Sequence, residues 1–363
     1  FPRLGDLQTQ MDIDKATLGF ALIGLPLGVQ ITLLFADRIV RRFNFRLVLM
    51  MGIPLLSISQ VLATLSESAY TFAGILMLGG AAIAVIEVAV NLEADRVEAH
   101  IGHRIMNRSH AYWSFGFFGA GIVGAGFSQL GISPFSHFAL ITVLSSVLTI
   151  LLFAKYDAAK ARRQSVAEKN KGFVWPSRGI FLLVFFSLSA MLVEGASIDW
   201  SVIFMRDIFN TVPIVSGLSL ALAAIAQGII RYFADQFVDK YGPERVSFYS
   251  LIAMVLGVGC VVFSFEPITA LLGFLLMGGG SAVIFPLAMS AAAQRTDKTP
   301  EENVASLAQF VFVIFLLAPP ILGFVAEYAG LRWSFALCFP LLIVSFFTIH
   351  SLNVQKDEKK NAY

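Results

Sequence analysis

The feature that most limits what this chain can become is a succession of apolar stretches, each about 20 residues long and nearly free of charge, which is the length needed to cross a hydrocarbon core of ~30 Å. Eleven such runs are bounded by charged or turn residues: 17–36, 47–65, 70–92, 111–130, 138–154, 179–198, 213–230, 246–264, 268–292, 304–326 and 334–352. Backbone groups in lipid find partners only within helices or closed barrels, and barrel strands are half this length and alternate in polarity. The expectation is an all-α, multi-pass membrane protein. Composition agrees: 57% of the 363 residues are hydrophobic and 14% charged, against about a quarter charged in a water-soluble domain. A net charge of +2 without a basic face gives no reason to expect a nucleic-acid partner. Cys260 and Cys338 lie far apart in apolar runs and have no metal-site or disulfide spacing.

Orientation follows from the cations, which favour cytoplasmic connections. Alternate connections hold 22 of the 26 Lys and Arg, and the other set holds only Arg3, Lys15, Arg206 and Arg332. The first set is therefore expected inside, with a cytoplasmic C-terminus.

The chain also repeats itself. Ala36-Asp37, Val40 and Arg42-Phe43-Asn44 recur 198 residues later as Ala234-Asp235, Val238 and Lys240-Tyr241-Gly242, and Gly19 recurs as Gly217. Leu76-Met77 and Gly79-Gly80 recur at an offset of 200 as Leu276-Met277 and Gly279-Gly280. Two like halves are implied: a bundle over 1–154, a cytoplasmic linker over 155–178 and a second bundle over 179–363. The run beginning at Gly179 maps to a position before residue 1. An intact first half is thus expected to have six helices, of which the opening one is missing, so that the eleven spans are helices two to twelve.

Two six-helix halves with a charged loop after the second helix of each resemble the major facilitator superfamily of secondary transporters. The likeness is carried by Ala36-Asp37-Arg38 through Arg46 and by Arg231 to Asp235 with Tyr241-Gly242. Segments around Glu87 and Asn91, Val97-Glu98, His110 with Ser114-Phe115-Gly116, Glu194-Gly195-Ala196 and Asp199-Trp200-Ser201 are similar to fucose-permease-like members. Asn44 and Leu33 depart from the loop pattern, which has Gly at both places. The resemblance implies that helices one, four, seven and ten line a central cavity, bringing Glu87, Asn91 and Glu194 into view of it. It also implies that Asp37, Arg38, Arg41, Arg231 and Asp235 form a latch on the cytoplasmic side, where Asp37/Arg41 and Arg231/Asp235 have i,i+4 spacing.

Glu87 is the most informative residue, since an ionisable group in an apolar helix marks a pathway or a proton relay. It sits five positions inside the expected cytoplasmic end of its span. Its repeat equivalent is Leu287, so packing there does not require a carboxylate. A structural hydrogen bond to a neighbouring helix is the competing reading. Asn91 lies one turn on and shares the face of Glu87. Glu194 is expected in the outer half of its span, with Asp199-Trp200 as an anchor at the helix end. Gly278-Gly279-Gly280 and Pro286 suit close packing or bending, and five glycines between Gly116 and Gly126 suit helix packing. His100, His103, His110 and Glu98 lack metal-ligand spacing, and no phosphate loop or catalytic triad is present. No cofactor and no enzymatic activity are expected.

The expectation is a proton-coupled secondary transporter in a plasma or bacterial inner membrane. It moves a small polar solute, a sugar-like molecule being one candidate, as a monomer in the lipid bilayer. A drug or metabolite exporter and a non-transporting membrane receptor or scaffold are the alternatives.

Overall fold

A computed structural model describes residues 2–101, 105–159 and 175–353. Among these the chain is helical throughout, with no strand. The first half comprises α1 (Leu4–Met11), α2 (Lys15–Leu22), α3 (Gly24–Leu33), α4 (Ala36–Arg42), α5 (Phe45–Ala63), α6 (Ala69–Ile101), α7 (Met106–Gln129) and α8 (Pro134–Phe153). The second comprises α9 (Arg178–Phe209), α10 (Pro213–Tyr241), α11 (Pro243–Val262), α12 (Pro267–Ser281), α13 (Ile284–Ala293), α14 (Pro300–Tyr328), α15 (Leu331–Ala336) and α16 (Cys338–Thr348). Most of the expected linker, and His103, lie outside the described residues.

All eleven expected runs are helical, and ten are both long and apolar enough to cross a membrane. The remaining run is α7, which has sufficient length at 24 residues, but its glycines dilute its hydropathy. Prolines subdivide several spans. Pro26 and Pro286 cannot donate a backbone N–H to residues 22 and 282, and the chain breaks there, between α2 and α3 and between α12 and α13.

The repeat is visible as packing. A Cβ at Gly80 would lie 2.1 Å from the carbonyl oxygen of Leu25, and a Cβ at Gly278 would lie 2.1 Å from that of Ala223. Residues 25 and 223, like 80 and 278, are 198 apart, so each half makes the same backbone contact, open only to a residue without a side chain; this replaces the alignment of Gly80 with Gly280 at an offset of 200. Gly19 and Gly217 are also equivalent. The first packs on Pro319 and Gly323 of α14, and the second on Ala125 of α7, so both lie where the halves meet.

The ends of the molecule differ. Where α2 begins and α9 ends, here called the seam end, Leu4, Leu7, Leu18, Leu22, Phe72 and Leu76 of the first half join a continuous core with the second half. Toward the opposite, linker end, the first half has its own small core of Val40, Phe45, Val48, Leu49 and Ala89. Among the described residues the apolar core shared by the halves lies toward the seam end, while α7 and α10 continue to join them further along, as at Phe115 and Gly228.

Candidate functional site

Three helices run beyond the apolar stretches that betray them in the sequence, which moves the candidate residues away from helix ends. An α-helix satisfies its own backbone, so polar residues continue it readily. Helix α6 has 33 residues and reaches Ile101, leaving Glu87 about 21 Å from that end instead of one turn inside it. Helix α9 has 32 residues and reaches Phe209, so Glu194 sits at its middle, about 24 Å from one end and about 22 Å from the other. This corrects its placement toward the outer end. Trp200 is correspondingly no interfacial anchor, for it is fully buried in the shared core. Helix α10 continues ten residues past Arg231 to Tyr241, so Arg231 lies within a span and not at its edge.

Arg231 reaches three acceptors. Its Nε donates to the Ala282 carbonyl at 3.2 Å, one terminal nitrogen to the Ser114 hydroxyl at 3.3 Å, and the other to Glu194 at 3.3 Å. The first contact follows directly from the sequence, because Pro286 leaves the Ala282 carbonyl without its helical donor. The Glu194–Arg231 ion pair is largely withdrawn from the surface, with side chains 11% and 13% exposed. Ser114 donates in turn to Gln227 at 3.1 Å. This network joins α7 of one half to α9, α10 and the α12/α13 break of the other.

Beside it is a narrow pocket lined by Glu194, Ser197, Gln227, Ser281, Trp113 and Phe117, with room for about one water molecule. The rings of Trp113 and Phe117 lie 4.4 Å apart, and Trp113 is half-exposed. A buried ion pair is costly to assemble and costly to break, by about 3–5 kcal/mol when one partner is removed, so it is poor packing material unless it does something else.

Glu87 approaches the interior differently. Phe72, Leu76, Ile83, Glu87 and Val90 follow one stripe of α6. Phe72 and Leu76 are buried in the shared core, whereas Glu87 and Val90 are exposed. The exposed Leu78 and Leu92 point roughly the opposite way. Glu87 is thus exposed on the same stripe that is buried in the shared core further toward the seam end. Asn91 is partly buried beside it.

Only part of the expected latch falls among the described side chains. Arg38 and Asp235 are exposed, Arg231 is engaged with Glu194, and the side chains of Asp37 and Arg41 lie outside the described residues.

Sequence reasoning missed two features. Cations counted only for topology turn out to tie the halves together at the seam end. Lys15 pairs with Asp207 at 3.0 Å, and its backbone N–H donates to Glu327 at 3.0 Å. Arg206 donates to the Gly5 carbonyl at 2.8 Å and to Gln8 at 3.0 Å. The available signal was that rare charges on the poorly charged side came with acids nearby, at Asp207 and Glu327. The second is Glu93, which is buried and accepts bonds from the Tyr156 hydroxyl at 3.0 Å and the Ala159 N–H at 2.6 Å. Burial, and then the bond to Glu93, holds the Tyr156 phenol above its ordinary pKa. This anchors the chain entering the linker.

Comparison with known proteins agrees with this architecture. The sequence profile of the Major Facilitator Superfamily matches residues 2–312 and 188–362. An uncharacterized MFS-type transporter of Yersinia pestis is 27% identical over 344 residues, 93% of this chain and 87% of the relative. Among solved structures, a nucleoside transporter is similar with a TM-score of 0.74 and 14% identity, covering 97% of this chain and 94% of that one. The Escherichia coli fucose:proton symporter is similar with a TM-score of 0.60 and 17% identity, over 95% and 94% of the two chains. Likeness at such identities concerns the fold.

Proposed function

The chain belongs to the Major Facilitator Superfamily, a family of multi-pass membrane transporters, and on that premise we propose that it moves a small polar solute together with protons by alternating access. The observation that carries this reading is the position of Glu87, an exposed carboxylate well inside α6, on the stripe that carries Phe72 and Leu76 into the shared core. A group so placed can take a proton from one side and, once neutral, tolerate closure of the cleft around it. Asn91 stands beside it, and in this reading Glu194 serves the same path from the other half. The distribution of Lys and Arg assigns the linker end to the cytoplasm, which makes the seam end the closed, outer side. Access is then from within, and the cycle requires the seam to part and the linker end to close.

The test is uptake into proteoliposomes under an imposed pH gradient. Each proton carried lets one pH unit sustain about a tenfold solute gradient. In Glu87→Gln, uphill accumulation is expected to vanish while insertion and downhill exchange persist. Undiminished accumulation by that variant would falsify proton coupling through Glu87. Efflux in place of uptake would identify an exporter, and binding without flux would identify a receptor.

A further inference from the structure

The Glu194–Arg231 pair leaves hydrogen-bonding capacity for a competitor, and since the pocket beside it holds about one water as it stands, such a competitor enters only as the halves move. A guanidinium offers five N–H donors and prefers two parallel bonds to a carboxylate. Arg231 instead meets Glu194 through one carboxylate oxygen at 3.3 Å, and its other two contacts are to neutral oxygens at 3.2 and 3.3 Å. Ser197, Gln227 and Ser281 supply hydrogen-bonding groups beside it, and the half-exposed Trp113 supplies an apolar wall.

Charge balance then restricts what can enter. In a low-dielectric interior the resting pair is neutral. A proton on Glu194 alone leaves Arg231 uncompensated, and an anion on Arg231 alone sets two negative charges against one positive. A proton and a monoanion arriving together restore neutrality, whereas a dianion does not. We infer that the pair is a proton-and-carboxylate co-binding site, at which a small organic monocarboxylate replaces Glu194 on Arg231 once Glu194 is protonated. The inference rests on the transport reading and names its substrate class. Of the other charged or titratable groups on the helices packed around the pair, His110 lies within electrostatic reach of both members. Arg108 sits over the Tyr232 ring, Asp199 lies on another face of α9, Asp235 is exposed one turn further along α10, and α12 and α13 carry no charge.

The test combines thermal stability of the purified protein with proteoliposome uptake. The probes are lactate, benzoate and gluconate, each beside its neutral counterpart, lactamide, benzamide and glucose, at one acidic and one neutral pH. At least one acid is expected to stabilise the chain where its neutral counterpart does not. Its half-saturating concentration should fall by up to about tenfold per unit drop in pH, as linkage to one proton requires. Glu194→Gln, which imitates the protonated state, should bind the same acid with no pH dependence. Arg231→Gln should lose binding. Because that variant strands Glu194 and can unfold the chain, the uncharged double variant Glu194→Gln/Arg231→Gln serves as the second loss test. The inference is overturned if no acid stabilises, if the neutral counterparts do so equally, if the double variant still binds, or if Glu194→Gln keeps its pH dependence, which would point to His110. Proton-driven accumulation of a neutral solute without acid binding would retain the transporter and discard the carboxylate. Acid binding of the stated kind without any flux would retain the site and discard the transporter.

Discussion

Replacing Arg206 by Gln should loosen the seam that holds the two halves together at their shared end. The wild-type side chain gives two charge-assisted bonds across that seam, at 2.8 Å to the Gly5 carbonyl and 3.0 Å to Gln8. Bonds of this kind contribute about 1.5–3 kcal/mol each when buried. Arg206 is 33% exposed, so screening reduces each to about 1 kcal/mol, and Gln reaches neither acceptor. The closed arrangement therefore loses about 2 kcal/mol relative to the parted one, a shift of about 30-fold in their ratio. A population in which about one molecule in a hundred is parted would become one in which about one in four is. Spin labels at Glu67→Cys and Glu266→Cys, exposed positions on opposite halves, report the separation by pulsed electron resonance once Cys260 and Cys338 have been replaced by Ala. The variant should gain a long-distance population and retain its fold. An unchanged distance distribution would show that the apolar core beneath, from Leu18 to Phe204, closes this end without help from the polar seam.

Two smaller perturbations address local structure. Pro286→Ala supplies the N–H that the Ala282 carbonyl lacks, so it should stabilise the chain by about 1 kcal/mol in thermal unfolding while slowing flux, because Arg231 then competes for that oxygen; a lower melting temperature would contradict the account of the break. Asp14 caps α2 by accepting the Thr17 N–H at 2.7 Å, and this bond holds its carboxyl below the usual range. Asp14→Ala should cost about 1 kcal/mol at neutral pH. Since the folded-state pKa is depressed, the contribution is present above the ordinary Asp value and lost as pH falls through the depressed one, so the two melting curves should converge in acid. A difference that persists at low pH would mean the cap does not act through the charged carboxylate.

Much of the architecture was written along the chain. Hydropathy marks the spans because lipid demands it residue by residue, and the recurrence of Ala36-Asp37 as Ala234-Asp235 marks two halves; the sequence aligned Gly80 with Gly280, whereas packing aligns it with Gly278, because the contact and not the letter is what repeats. Glu87 is conspicuous for the same local reason, a charge where its surroundings are apolar. The candidate site was less legible. Arg231 was read as a loop-side cation because its apolar run stops at Ile230, although the helix continues to Tyr241. Glu194 was placed toward the outer end of its span because its helix outlasts its run by eleven residues, from 198 to 209.

What the sequence determined by itself was therefore everything set by periodicity, charge and repetition: spanning helices, two halves, and an isolated acid within them. Partnership was decided by the tertiary structure alone. Glu194 and Arg231 are 37 positions apart, and Gly5 and Arg206 are 201 apart; nothing local brings such groups together. Their meeting depends on how far each helix runs past its apolar segment, and on a proline that leaves one carbonyl waiting for an arginine from another helix.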